Sequence, residues 1–168
     1  QWGAKCTPKI MASFGRNEAK TRIFGWDTPS DGEEYRRFLS AFLPALDAFL
    51  QREGVSESCY LHVSDEPGKE HLQSYIAAAA LLKQYLPGYP VMDAMSDYEI
   101  YQQSAISDPV VALNHIEPFL EKQISPIWGY YCCGQYTEVP NRFLAMPSYR
   151  NRIAGLLCYK FGLKGFLH

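Results

Sequence analysis

Apolar residues recur at helical spacing in two long stretches of the chain. Over residues 35–52, aromatic and aliphatic side chains fall at steps of three and four, which indicates an amphipathic helix. Gly54 suits the end of this helix, and Pro44 inside it is a residue that can kink a helix. Residues 69–86 show the same period and stop at the Pro-Gly pair 87–88. The pattern therefore predicts two long helices in the first half of the chain.

Three shorter helices are predicted further along. Residues 96–99 have the composition of a capping box and open the first, and residues 116–122 form the second. Pro147 begins the third, since proline is tolerated in a first helical turn. The residues expected to face inward from this third helix are Ile153, Leu156 and Leu157.

Short apolar runs alternate with these helices and predict six strands. The runs are residues 9–12, 58–64, 89–95, 110–113, 127–133 and 165–168. Strands that alternate with helices form parallel sheets through right-handed crossovers. The runs are apolar throughout, as expected for strands that are covered on both faces.

The chain length bears on the choice between two parallel architectures. A (β/α)8 barrel takes about 250 residues, or roughly 31 per unit, so this chain holds about five to six βα units. An open doubly wound parallel sheet is the alternative, but no glycine-rich phosphate loop follows any predicted strand. We therefore expect an α/β fold in which residues 1–168 form one domain, a partial (β/α)8 TIM-type barrel.

Charge and composition exclude several kinds of partner. Lys and Arg number 16 against 18 Asp and Glu, and this net charge of −2 gives no basic patch for nucleic acid. No apolar run approaches the roughly 18 residues of a membrane-spanning helix. The 5 cysteines lack metal-type spacing and are expected as reduced thiols, with Cys132 and Cys133 in packing. We predict no cofactor and no metal, and the charge balance suits a neutral small-molecule ligand.

The chain ends suggest an excised piece. No leader precedes Gln1, so no signal peptide is read, and residues 165–168 look like a strand cut at its last residue. A cytoplasmic location is slightly favoured over secretion. The open edges of an incomplete barrel predict a homo-oligomer, through pairing with a second copy.

Polar and aromatic residues follow the predicted strands at their carboxyl ends, where parallel α/β folds keep their ligands. In chain order they are Asp65, Glu66, Asp93, His115, Trp128, Tyr130, Tyr131 and His168. The three aromatic residues among them offer flat faces on which sugars stack, with core packing as the alternative for each. Outside this set, His62 is interpreted as a core histidine and His71 as a solvent-facing one.

The adjacent carboxylates Asp65 and Glu66 are the sharpest signal. Neighbours in a strand point to opposite faces and converge only where the strand ends, and Pro67 forces that end. Two like charges held close together raise the pKa of one group, so one serves as an acid while the other stays ionised. Cleavage of a glycosidic bond needs one carboxyl group that gives a proton and a second that stays ionised. The alternative is a cap at the start of the following helix, which spacing alone favours.

Four segments in combination resemble a known family. They are residues 61–67 (LHVSDEP), 130–134 (YYCCG), 141–143 (NRF) and 165–168 (GFLH). The chain resembles the domain of unknown function 4091 family, which is similar to the catalytic barrel of glycoside hydrolase family 123, the retaining β-N-acetylgalactosaminidases. The resemblance covers essentially the whole chain, which would be the C-terminal part of that barrel.

The resemblance implies a substrate-assisted mechanism on a terminal β-linked N-acetylhexosamine, with N-acetylgalactosamine favoured. Asp65 matches the carboxylate that orients the 2-acetamido group, and Glu66 matches the general acid. By position, further residues would line the sugar pocket. They are Asp93, His115, Trp128, Tyr130, Tyr131, Asn141 and, at the last strand end, His168.

Two other functions remain open on the sequence. A catalytically silent carbohydrate-binding relative would keep the same residues. A metal-dependent hydrolase would use carboxylates and histidines from the strand ends, but no compact ligand spacing supports it. Its candidate ligands are Asp65, Glu66, Asp93, His115 and His168.

Overall fold

Two units make up the part of the chain that is described. The structure, a computed structural model, describes residues 4–13, 15–16 and 19–167. Contacts divide the chain into Gln1–Tyr89 and Pro90–His168. The first unit holds an antiparallel strand pair and two long helices, and the second holds a four-stranded parallel sheet with three helices. Across the described ranges, no helix is both long enough and apolar enough to cross a bilayer.

The first strand belongs to an antiparallel pair. β1 (Ile10–Ala12) pairs with β2 (Thr21–Phe24), with Met11 opposite Arg22. The prediction that residues 9–12 join the parallel sheet is therefore wrong. Only one of the four β2 residues is buried. The strand lacks an apolar run long enough to be predicted from the sequence.

The first long helix is confirmed. α1 (Glu33–Arg52) runs through Pro44 and ends where the sequence predicts. Gly54 has φ +71, and the N–H of Val55 donates to the Leu50 carbonyl at 3.1 Å. This is the hydrogen-bond pattern of a Schellman motif, in which glycine takes the left-handed position at no steric cost.

The second long helix begins later than predicted. Residues Lys69–His71 form a 3-10 turn, and α2 (Leu72–Tyr85) follows it. Together the two long helices enclose a small apolar core. Its buried members are Leu43, Leu86 and Tyr89, with Leu39, Leu50, Cys59, Leu61, Leu82 and Tyr85 packed against them.

Residues 58–64 do not form the predicted continuous strand. Ser56–Ser58 is a 3-10 turn, and Leu61 alone has bridge pairing. Strand propensity describes how well side chains fit a pleated surface, but a strand also needs a neighbouring strand to hydrogen-bond with. Residues 58–64 have the composition of a strand but lack a neighbouring strand along most of their length.

The second unit confirms the parallel α/β class. Its sheet has the order β3 (Met92–Ala94), β4 (Asp108–Ala112), β5 (Trp128–Tyr130) and β6 (Gly165–Leu167), all parallel. Each strand overlaps a predicted run, and β3 and β5 are shorter than their runs. All five residues of β4 are buried.

Two short helices cover one face of this sheet. α3 (Tyr98–Gln103) and α4 (Glu117–Glu121) supply rings and aliphatic side chains that pack around Val111 of β4. The predicted cap moves by one residue, because Asp97 rather than Ser96 accepts from the backbone N–H groups of α3. The Ser96 hydroxyl instead accepts from the Ala112 N–H at 3.0 Å.

The last helix, α5 (Ser148–Lys160), is less amphipathic than predicted. Ile153 and Leu156 are exposed, Leu156 by 59%, so the expectation that both face inward is wrong. Leu157 is half-buried. The apolar side chains of α5 therefore do not form a single buried stripe.

We expect Tyr89→Phe to remove a pH dependence from the free energy of unfolding. The Tyr89 hydroxyl donates to Asp47 Oδ1 at 2.6 Å, and this hydrogen bond, with burial, raises the pKa of Tyr89 from 10.0 to about 12. Because the folded state holds this proton more tightly than the unfolded chain, the stabilisation is complete below about pH 10 and disappears as the pH rises to about 12.

Urea unfolding of the wild type and Tyr89→Phe between pH 9 and 12 measures this difference. The wild type should be the more stable at pH 9, and the two should converge toward pH 12. Tyr159→Phe is the control, because this side chain is 86% exposed. A constant gap between the wild type and Tyr89→Phe across this range would contradict the assignment.

Candidate active site

Asp65 and Glu66 lie on a bend between two buried residues. Ser64 before them and Pro67 after them are buried, whereas both carboxylate residues are exposed. Glu66 has φ +39, a left-handed conformation that is uncommon for a residue with a Cβ. Such backbone conformations persist where the surroundings impose them, and they cluster at functional sites.

Asp65 does not cap the following helix. The 3-10 turn begins at Lys69, after Gly68, which has no side chain to cap with, and α2 starts after His71. The Gly68 N–H donates to Nδ1 of His71 at 3.2 Å. Asp65 has no hydrogen bond or ion pair to any residue that the structure describes. The helix-cap interpretation, which spacing alone favoured, is therefore wrong for Asp65.

His62, on the same segment, borders a cavity of about 240 Å³ in the first unit, together with Cys6, Tyr35 and Leu39. His62 is exposed, so its interpretation as a core histidine is wrong. Burial raises the pKa of Tyr35 above 10.0.

The second unit builds a hydrogen-bonded loop at the carboxyl end of β5. Asn141, 3% exposed, donates from Nδ2 to the Cys132 carbonyl at 2.8 Å and to the Gln135 carbonyl at 2.6 Å. The Gln135 side chain accepts from the Cys132 N–H and donates to Asn114, which follows β4. A side-chain hydrogen bond thus joins the loop after β5 to the turn after β4.

The other candidates from these strand ends differ in exposure. His115 is exposed at the end of the 3-10 turn Leu113–His115, and Tyr130 is half-buried. Tyr131 is buried, and its ring lies 4.8 Å from that of Phe166. Asp93 is buried in the middle of β3, not at its end. His168 lies outside the described residues.

Trp128 lies at the opposite edge of the sheet from the one expected. It is the first residue of β5, because this strand is shorter than predicted. Its indole N–H donates to Asp108 at 3.5 Å, and Lys164 Nζ lies 3.0 Å from the same Oδ1 atom. The Trp128 ring also covers Gly165, where an added Cβ would come within 2.0 Å of a ring carbon.

Several residues of these clusters were missed by sequence reasoning. His71 accepts from a backbone N–H near it in sequence, and Gln135 binds both the nearby Cys132 N–H and the distant Asn114 side chain. Nothing in residue type distinguishes such roles. Asp108 and Lys164 meet only because β4 and β6 lie in one sheet. Cys132 and Cys133 were assigned to packing, but both are exposed, because they lie beyond the end of β5. Throughout the described ranges, no three His, Cys, Asp or Glu side chains come together as a metal site.

Comparisons with known proteins point to one family. The family model described as "Glycoside hydrolase 123, catalytic domain" matches residues 1–168. A solved structure of a family 123 glycoside hydrolase from Clostridium perfringens, from a study of glycolipid glycan hydrolysis, is similar with a TM-score of 0.60 and 19% identity. The match covers 89% of this chain and 27% of that chain, so this chain spans about a quarter of that protein. No curated protein matches the sequence.

We expect Asn141→Ala to destabilise the second unit. The substitution leaves two carbonyl groups of the loop without their donor, which costs about 1–3 kcal/mol of unfolding free energy. Urea unfolding measures the loss. Asn151→Ala, an exposed position on α5, is the control and should change the free energy by less than about 0.5 kcal/mol. Equal effects of the two substitutions would show that the network does not hold the loop.

Proposed function

The chain belongs to the glycoside hydrolase family 123 catalytic-domain family, and on this premise we propose that it carries the catalytic carboxylates of a glycosidase. The substrate is a terminal β-linked N-acetylhexosamine, with N-acetylgalactosamine as the preferred epimer. The observation that carries the proposal is the bend at Asp65 and Glu66, where two adjacent carboxylate residues are exposed and Glu66 has a left-handed backbone.

The mechanism follows from two carboxylates with different tasks. The substrate's own 2-acetamido oxygen attacks the anomeric carbon, and Asp65 orients this group and stabilises the positive charge that develops on it. Glu66 protonates the leaving glycosidic oxygen and then removes a proton from the attacking water. Two displacements at one carbon retain the anomeric configuration.

Other strand-end residues are proposed as contacts to the sugar. His115 and Tyr130 are accessible at the carboxyl ends of β4 and β5. Asn141 would act through the loop that it holds, since both its amide hydrogens are used there. The buried residues Asp93 and Tyr131 would shape the floor of the pocket.

We also propose that the parallel sheet is part of a (β/α)8 barrel. Short parallel strands in sequential order, joined by helices, are the repeating unit of that fold. The likeness to 27% of the Clostridium perfringens chain supports this proposal, because it leaves the other strands to the rest of such a protein.

Substitution of each carboxylate in the full-length protein tests the proposal. Glu66→Gln should lower kcat on aryl β-N-acetylgalactosaminides by about 10²–10⁴-fold when the leaving phenol is weakly acidic, and far less when it is strongly acidic. Asp65→Asn should lower kcat by about 10²–10³-fold with every leaving group, because stabilisation of the acetamido group is lost throughout.

Asp31→Asn, an exposed carboxylate of the same unit, is the matched control and should keep wild-type kcat. NMR of the first-formed product should show the β anomer. Undiminished turnover in both Asp65→Asn and Glu66→Gln would refute the proposal. Sugar binding without turnover by the wild type would identify a silent carbohydrate-binding relative.

A further inference from the structure

One histidine stabilises the turn that directly follows the bend at Asp65 and Glu66. The His71 N–H donates to the Gly68 carbonyl at 2.9 Å, and the Gly68 N–H donates back to His71 Nδ1 at 3.2 Å. The first is the ordinary hydrogen bond of a 3-10 turn, and the second is the half of a capping box that a Glu or Gln side chain ordinarily makes. The His71 side chain is only 18% exposed, so the ring is held in place at the helix start. Its interpretation as a solvent-facing histidine is therefore wrong.

The hydrogen bond from Gly68 determines where the His71 ring carries its proton. A ring nitrogen that accepts an N–H hydrogen bond has no hydrogen of its own, so the closed bend requires neutral His71 with its hydrogen on Nε2. The proton on His71 and the hydrogen bond from Gly68 are thus mutually exclusive at Nδ1.

Glu70 is the competing partner for this nitrogen. Its Oε1 lies 3.6 Å from His71 Nδ1, and among the described residues it is the carboxylate within ion-pair distance of the ring. The same carboxylate lies against Gly68, where an added Cβ would come within 2.7 Å of Oε2. A proton on Nδ1 would therefore turn the ring nitrogen from an acceptor for Gly68 into a donor to Glu70.

The left-handed backbone at Glu66 needs such support. Glu66 lies two residues before Gly68 and has φ +39, so the bend does not rest in the ordinary conformation of a glutamate. If the Gly68 N–H loses its acceptor, the turn that follows the bend loses the side-chain hydrogen bond that fixes its first residue.

We infer that His71 is a positioning residue, whose neutral Nδ1 holds the bend so that Glu66 meets the glycosidic oxygen. This inference rests on the proposed function of Glu66. A proton on Nδ1 would remove this acceptor, so a protonated His71 no longer holds the Gly68 N–H and activity falls.

Replacement of His71 in the full-length protein distinguishes a role in positioning Glu66 from a role in stability alone. His71→Gln keeps a neutral acceptor that cannot be protonated, whereas His71→Leu removes the acceptor. We expect His71→Leu to lower kcat on an aryl β-N-acetylgalactosaminide on the order of tenfold to a hundredfold, with a much smaller change in KM. His71→Gln should restore kcat near pH 7 and lose the acid limb that the wild type shows.

NMR of the Gly68 amide supplies a readout that does not depend on turnover. Its ¹H–¹⁵N signal should move with pH in step with the His71 ring in the wild type and stay constant in His71→Gln. A Gly68 signal that ignores the ionisation of His71 would overturn the inference, as would a wild-type kcat and pH profile in His71→Leu. A wild type whose Gly68 signal follows His71 but which cleaves no glycoside would instead refute the proposed function, and with it the catalytic part of the inference.

Discussion

Backbone pairing of β4 on both sides is the constraint on which the second unit depends. All five residues of β4 are buried, so their peptide groups must find partners within the protein. β3 and β5 supply these partners in parallel register. Parallel pairing brings the carboxyl ends of neighbouring strands to one edge, and for this reason Asn114 after β4 reaches Gln135 after β5.

The same pairing places two clusters of polar residues at opposite edges of the sheet, although both come from residues next to predicted strands. Asp108 and Lys164 meet at the amino-terminal edge of the sheet, where Trp128 covers Gly165. Asn114, Gln135 and Asn141 form the other cluster, at the carboxyl-terminal edge. The first cluster ties three strands together with a buried carboxylate, whereas the second shapes a loop in the place where parallel folds bind ligands.

The first unit prepares its two carboxylates in a different way. There the backbone bends at Asp65, passes through a left-handed Glu66 and an extended Gly68, and enters 3-10 geometry at Lys69. The backbone of Gly68 and the ring of His71 exchange hydrogen bonds at the helix start, and Asp65 takes no part in them.

Local chemistry in the sequence determined the elements that need no distant partner. The end of α1 at Gly54 follows from the conformational freedom of glycine, and the alternation of apolar runs with helices predicted the four parallel strands. The same alternation also predicted a strand over 58–64 and a parallel place for β1, which the structure does not have. Only the tertiary structure decided which strand pairs with which, that β2 exists, that Trp128 lies at the amino-terminal edge, and that the His71 ring accepts from the Gly68 N–H. The period of apolar residues shows which side of a helix or strand is buried. Hydrogen-bond partners far apart in sequence are brought within reach only when the chain folds.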